Sequence, residues 1–455
     1  MSMKKFLNKF LFIIYSGKMK TKKLEKLDMI LFVVLIVGFS MSYSGLNVQQ
    51  VKALSLGDVL YVGGSGPNNY TTINAALNVA DDGDTIYVYS GTYYENIVIT
   101  KKISLIGENP KTTIIDGRNM GNVVHILSDN VIISGFTLTN SGWEDNEAGL
   151  MINGDYCKIS NCLIVNNNRG IYGEYANHNI ITNCSVSDSK GLSNIAFYYS
   201  DYNHFKNLDV KRSKLSGIYF SYGDYNNIER CNIADCYEGY GIGMDYCSHC
   251  SVSNCTAKRA INGIKIFDSD NNIFYNNTLV ESKGSGIVMY PTSNNNVFIM
   301  CKSTRNGYNG IWMRKSSGNT IENCQFENNS ICGIYMELYS NENTIQKCEI
   351  CNNEGCGIYI EQSSGGNTIK MCNIKNNAQI GVYLKKCTDV VYLNYNNIYG
   401  NGWGVWANGS ICDARYNYWG CFLGPLTFGL IGDGVGWNEK GKVMFFPWKI
   451  AEIEW

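Results

Sequence analysis

The sequence predicts an all-β solenoid, a single-stranded parallel β-helix, on two observations. A short pattern of small, aliphatic, variable and apolar residues, as in "GIYM", starts at Gly149, Gly170, Asn194, Gly217, Gly241, Gly263, Gly286, Gly310, Gly333, Gly357, Gly381 and Gly404, at intervals of 21 to 24 residues. Within it "NTIQKC" (343–348) returns as "NTIKMC" (367–372), 24 residues on. A fixed period with no helix-length pattern inside it marks one unit that buries its apolar face only by stacking on its neighbours.

Each coil opens on a strand of period two. The position after the start is Leu150, Ile171, Ile195, Ile218, Ile242, Ile264, Ile287, Ile311, Ile334, Ile358, Val382 and Val405. Two residues further come mostly bulky apolar side chains, among them Phe197, Phe220, Met244, Met289, Met313 and Met336. Alternate strand residues share one face, so both sets point inward. Burying one such side chain stabilises by about 1.5–3 kcal/mol. A second strand follows, with Ile180, Ile228, Ile273, Ile321, Ile345 and Ile369 as its aliphatic residues. Next comes a cysteine column, Cys162, Cys184, Cys231, Cys255, Cys301, Cys324, Cys348 and Cys372, with Leu208, Asn277 and Asn394 in other coils. A third apolar column includes Ile164, Val186, Val210, Ile233, Phe326, Ile350 and Ile374. Successive coils stack about 4.8 Å apart, so columns become ladders of like on like. The cysteines fit as small, soft residues at a turn, and in-register parallel stacking does not favour the dihedral of a disulfide.

The ends depart from the repeat. A basic stretch (18–28), the apolar run "MILFVVLIVGFSM" (29–41) and "VKA" (51–53) have the order of a secretory signal, with an uncleaved membrane anchor as the alternative. Residues 1–53 are therefore read as leader or anchor, 54–128 as cap and first coils, 129–416 as repeats and 417–455 as a Gly-rich aromatic cap. In "YTTINAALNVADDGDT" (70–85), Ile73, Ala76, Leu77 and Ala80 share a helical face, with Thr71 or Thr72 at its start. An open β-helix exposes strand edges, and a helix over the core is the expected entry cap.

"TTINAALNVADDGDTIYVYSGTYYENIVITKKISLIGE", then "TTIIDG" and "VIISGFTLTNSG", together with the "NTI..C.I.NN..GIY" repeat and a closing "NYWG…GP…GDGV…PW", resemble the NosD-like proteins over residues 57–450. These are exported right-handed parallel β-helix proteins of the pectate-lyase superfamily, also called carbohydrate-binding and sugar-hydrolase domains. Cysteine stands here where that family usually has asparagine. The resemblance implies a right-handed coil and export to the periplasm, cell surface or medium. Its superfamily spans lyases, hydrolases, esterases, adhesins and a copper-site accessory protein, so it does not assign an activity.

Chemistry is expected on outward positions. Between the two inward residues of the first strand stand Trp312, Tyr335, Tyr359, Tyr383 and Trp406 over five coils, with Arg314, Glu337, Glu361 and Lys385 at the next outward position. A charged aromatic stripe suits a polysaccharide, because flat rings stack on sugars. A solvated ladder of good strand formers is the alternative. Glu337 and Glu361, one coil apart, have the spacing of a retaining glycosidase pair, and like charges so placed tend to raise one pKa. An enzyme here would be a polysaccharide hydrolase or lyase. "CSHCSVSNC" (247–255) offers Cys247, His249 and Cys250 as soft ligands for copper or zinc. The residues 1–53 carry 9 of the 38 basic and 2 of the 39 acidic residues, so the remainder has a net charge of −8. An acidic chain argues against nucleic acid as partner and leaves membrane contact to the amino-terminal segment. A glycan binder, a metal-handling accessory and a structural or adhesive rod remain open.

Overall fold

The computed structural model describes residues 57–362, 364–425, 433–438 and 440–455. The leader expected over 1–53 lies outside the described residues. The remainder is a parallel β-helix of about fifteen turns, with sheets of 15, 17 and 14 strands. One coil shows the plan: Ile334–Glu337 in sheet 1, Thr344–Gln346 in sheet 2, Glu349–Cys351 in sheet 3, then Ile358–Glu361 back in sheet 1. Stacking is in register, Ile334 on Ile358, Ile345 on Ile369 and Ile350 on Ile374. The inward columns form one continuous buried core.

Three positions are read one or two residues off in the sequence. Ile180 and Ile273 face solvent, and the inward residues of their strands are Ile181 and Phe274. Leu393, paired with Ile369, places Asn396 rather than Asn394 in the cysteine column. A one-residue slip moves a side chain to the other face, and two adjacent apolar residues, Ile180 and Ile181 or Ile273 and Phe274, leave the pattern without a phase.

The cysteine column has a polar role beside its packing one. The backbone N–H of Cys231 donates to Cys255 Sγ at 3.4 Å, and that of Cys348 to Cys372 Sγ at 3.5 Å. Each thiol in turn reaches carbonyls, Cys372 Sγ to Lys370 O at 3.3 Å and to Ile345 O at 3.7 Å. Asn396 does the same job one coil on, accepting from Cys372 N at 2.9 Å and donating to Ile369 O at 3.0 Å. A thiol therefore substitutes for a carboxamide in satisfying buried backbone groups. The residue before it adopts a left-handed conformation, as at Asn323, Lys347 and Met371, each with φ of 53°. That turn carries the chain sharply from sheet 2 into sheet 3.

Helix α1, Ile73–Val79, closes the entry over Ile73, Ala76 and Leu77. Its free amides are taken by Glu95, whose oxygens accept from Ile73 N at 2.8 Å and Asn74 N at 2.9 Å, and by the N-cap Thr72. Lys101 donates to carbonyls of the last turn, Leu77 O and Asn78 O at 3.3 Å, which offsets the negative end of the helix. At the exit, Trp419 is fully buried. The cap keeps some of the repeat: Val435–Trp437 adds to sheet 1 and Lys442–Met444 to sheet 2.

Candidate functional site

Sheet 1 carries the stripe outward as expected. Trp312, Tyr335 and Tyr359 sit in register on successive coils, followed by Tyr383 and Trp406. The rings, however, lie on one another. Trp312 and Tyr335 stack at 6.3 Å between centroids and 14°, Tyr335 and Tyr359 at 5.1 Å and 23°, Tyr359 and Tyr383 at 4.8 Å and 14°. Trp406 turns edge-on to Trp403 at 5.2 Å. Coil spacing is close to ring-stacking distance, so a column of aromatics covers its own faces and shows solvent its edges.

The charged column beside it is equally engaged. Trp312 Nε1 donates to Glu337 Oε1 at 3.2 Å, and the Arg314 guanidinium lies 3.6 Å from that oxygen. The Tyr335 hydroxyl lies 3.0 Å from Glu337 Oε2 and 2.6 Å from Glu361 Oε1. Glu361 Oε2 accepts from Tyr359 at 2.6 Å and from Lys385 Nζ at 3.0 Å. The structure thus brings Trp312, Tyr335, Tyr359, Arg314, Lys385 and both glutamates into one network. Burial pushes the Glu361 carboxyl up, but Tyr335, Tyr359 and Lys385 together hold it below its ordinary value. The expected rise from stacked like charge is not met at Glu361, because the Tyr335 hydroxyl bridges the two carboxylates and Tyr359 and Lys385 donate to Glu361 from its other side. Burial and these carboxylates push the Tyr335 and Tyr359 hydroxyls up.

The metal candidates do not converge. Cys247 and Cys250 are buried and donate to backbone carbonyls, Cys247 Sγ to Asp245 O at 3.2 Å. His249 points outward as the last ring of a stack through Tyr156, His178, Tyr202 and Tyr225, spaced 4.7–4.9 Å. Among the described residues no three His, Cys, Asp or Glu side chains are placed to hold a metal ion. A turn with alternating directions separates residues adjacent in sequence, which spacing alone does not reveal.

Further toward the amino terminus, sheet 1 holds a recess of about 280 Å³ that column-by-column reading misses. Its wall contains Tyr198, Tyr219 and Tyr240, with Arg169 and Glu238 at its sides and Leu192 and Leu215 from the turns entering the sheet. The three tyrosines lie on a diagonal, Tyr219 one coil on and two residues earlier along the strand than Tyr198, and Tyr240 one coil on and three residues earlier than Tyr219, so no single column contains them. Their rings are not stacked: Tyr198 meets Tyr219 at 5.8 Å and 60°, and Tyr172 meets Tyr198 at 65°. Gly243 makes room, since a Cβ there would stand 2.7 Å from the Tyr219 ring. Beside the recess Tyr219 donates to Asp245 at 2.8 Å, and Lys265 closes an ion pair with Asp245 at 2.7 Å. Burial and the Asp245 carboxylate push the Tyr219 hydroxyl up, so it stays protonated. The Arg169 guanidinium lies 4.8 Å from the Tyr172 ring centre.

The family comparison bears directly on this architecture. The description "right handed beta helix region" matches residues 121–279 and 275–415, well over half the chain. The chain belongs to the right-handed β-helix family. No curated protein sequence matches it. Among solved structures, this right-handed β-helix is similar to the A-module of Azotobacter vinelandii mannuronan C-5 epimerase AlgE6, with 13% identity over 81% of this chain and 93% of that one and a TM-score of 0.44. The Dettilon tailspike protein shares 16% identity over 66% and 62%, with a TM-score of 0.48. The DFA-IIIase of Arthrobacter chlorophenolicus A6 shares 11% over 69% and 94%, at 0.46. At such identities and scores these likenesses bear on neither substrate nor mechanism.

Proposed function

We propose that this right-handed β-helix binds a polysaccharide laid along the outer face of sheet 1. The observation that carries the reading is the recess: splayed, half-buried tyrosine rings beside a guanidinium and a carboxylate match the apolar faces and hydroxyl edges of a sugar ring. The Trp312–Trp406 stripe continues the same face, and its ring edges and charged network would guide a polymer rather than stack on it. The basic-then-apolar leader supports export, which would bring the face to an envelope or extracellular glycan. The resemblance of the ends to NosD-like proteins supports the same location, and Cys247, His249 and Cys250, which do not converge, do not support a copper site there. Binding of residues 54–455 to a glycan array tests the reading. Loss of the signal in Tyr219→Ala with Tyr240→Ala is expected, with a smaller loss in Trp312→Ala with Tyr359→Ala. Undiminished binding in the recess variant would refute it.

A further inference from the structure

Ten of the 18 cysteines stack on a cysteine of an adjacent coil, and they are of two kinds. In the stacked runs Cys162–Cys184, Cys231–Cys255 and Cys301–Cys324–Cys348–Cys372, every thiol donates to a backbone carbonyl of the core. Cys332 and Cys356 differ. Neither donates to a carbonyl, and each thiol has the other as the neighbour that shifts it. They occupy the same rung of adjacent coils, since Gly310 N donates to Cys332 O at 2.9 Å and Gly333 N to Cys356 O at 3.1 Å. Both border an open cavity of about 350 Å³ walled by Ile331, Gln379, Tyr359 and Tyr383.

We propose that Cys332 and Cys356 form a reversible disulfide, made by exchange with a small-molecule disulfide that enters this cavity. The rung spacing of about 4.8 Å lies within the 4.4–6.8 Å Cα separation a disulfide tolerates. Both residues precede their strands, Ile334–Glu337 and Ile358–Glu361, so the pleat of the sheet does not dictate their side-chain direction. Both residues are buried, and the cavity they line is the route by which a small disulfide would reach them. The S–H of Cys332 holds the Cys356 thiol below its ordinary value while Cys332 is pushed up, so Cys356 is the attacking sulfur. Its thiolate displaces one sulfur of the incoming disulfide, giving a mixed disulfide and one free thiol. Cys332 then loses its proton and attacks Cys356 Sγ, releasing the second thiol. Two protein thiols are oxidised and one external disulfide is reduced to two thiols. The bond staples the coils that carry Tyr335 and Tyr359, whose hydroxyls share Glu361, and fixes that stretch of sheet 1. The proposal does not rest on glycan binding, and its test reads none.

The test uses the folded protein with Cys421→Ser, which removes the half-exposed thiol of the exit cap. It is treated with oxidised glutathione, alkylated, and mapped by non-reducing peptide mass spectrometry. A 332–356 cross-link with loss of two free thiols is expected, and before oxidation Cys356 should alkylate about tenfold or more faster than Cys324. In Cys332→Ser, or Cys332→Ala if the serine variant folds poorly, Cys356 should instead retain glutathione. A cross-link at Cys162–Cys184 in its place, or Cys356 no more reactive than Cys324, would overturn the proposal.

Discussion

Asp433 closes an asparagine column, and neutralising it should stabilise the exit end. In that column Asn377 Oδ1 accepts from Asn353 N at 3.2 Å and Nδ2 at 2.8 Å, and Asn401 Oδ1 likewise from Asn377 at 3.0 and 2.9 Å. Asp433 takes the next rung, accepting from Asn401 N at 3.2 Å and Nδ2 at 2.6 Å. Burial pushes its carboxyl from 3.8 to about 6 despite those donors. A raised folded value means the fold favours the neutral acid. That contribution is complete below pH 3.8 and is lost as pH climbs through about 6. At 1.36 kcal/mol per pH unit, the charged form costs roughly 3 kcal/mol at pH 7.5. In Asp433→Asn the amide oxygen can accept as every earlier rung does, and no charge is buried. A solenoid opens from its ends, so hydrogen exchange of Trp403–Asn408 is the sensitive assay. Exchange in the variant should be slower by about a hundredfold at pH 7.5, with little difference near pH 4. An unchanged rate, or the same gain at both pH values, would refute the reasoning.

Two further substitutions probe the ladders. Cys372→Val leaves the Cys348 amide without its acceptor and should cost about 1–3 kcal/mol, whereas Cys372→Asn, which copies Asn396, should be nearly neutral; urea unfolding distinguishes them. Glu361→Gln removes the charge that Tyr335, Tyr359 and Lys385 share and should cost about 2–3 kcal/mol, read as faster exchange across Ile358–Glu361. Because the folded carboxyl sits below its ordinary value, that contribution is present above the unfolded value and lost as pH falls through the folded one. The Gln variant should therefore lack this acid-dependent loss.

The repeat was legible because identical columns report one another. Ile334, Ile358 and Val382 recur at one spacing, and their burial follows from it. The helix of the entry cap was legible from Ile73, Ala76, Leu77 and Ala80 for the same reason. Legibility failed where a column offered two phases, at Ile180 and Ile273, and where partners lie on a diagonal, as at Tyr198, Tyr219 and Tyr240. It failed again where neighbours in sequence diverge, as His249 does from Cys247 and Cys250.

The sequence by itself determined the coil length, the inward columns and the outward placement of the aromatic and charged rows, because a period of two within a period of about 23 leaves one way to bury the apolar set. Only the tertiary structure decided what those outward groups have left to offer. Trp312, Tyr335, Tyr359 and Tyr383 spend their faces on each other and Glu361 spends its charge on Tyr335, Tyr359 and Lys385, while Tyr198 and Tyr219 meet at 60° and line a recess. The reason is distance: rungs stacked in register stand at contact range for rings and hydrogen bonds, so whether a side chain faces a ligand or its neighbour is settled across coils, between residues some two dozen positions apart.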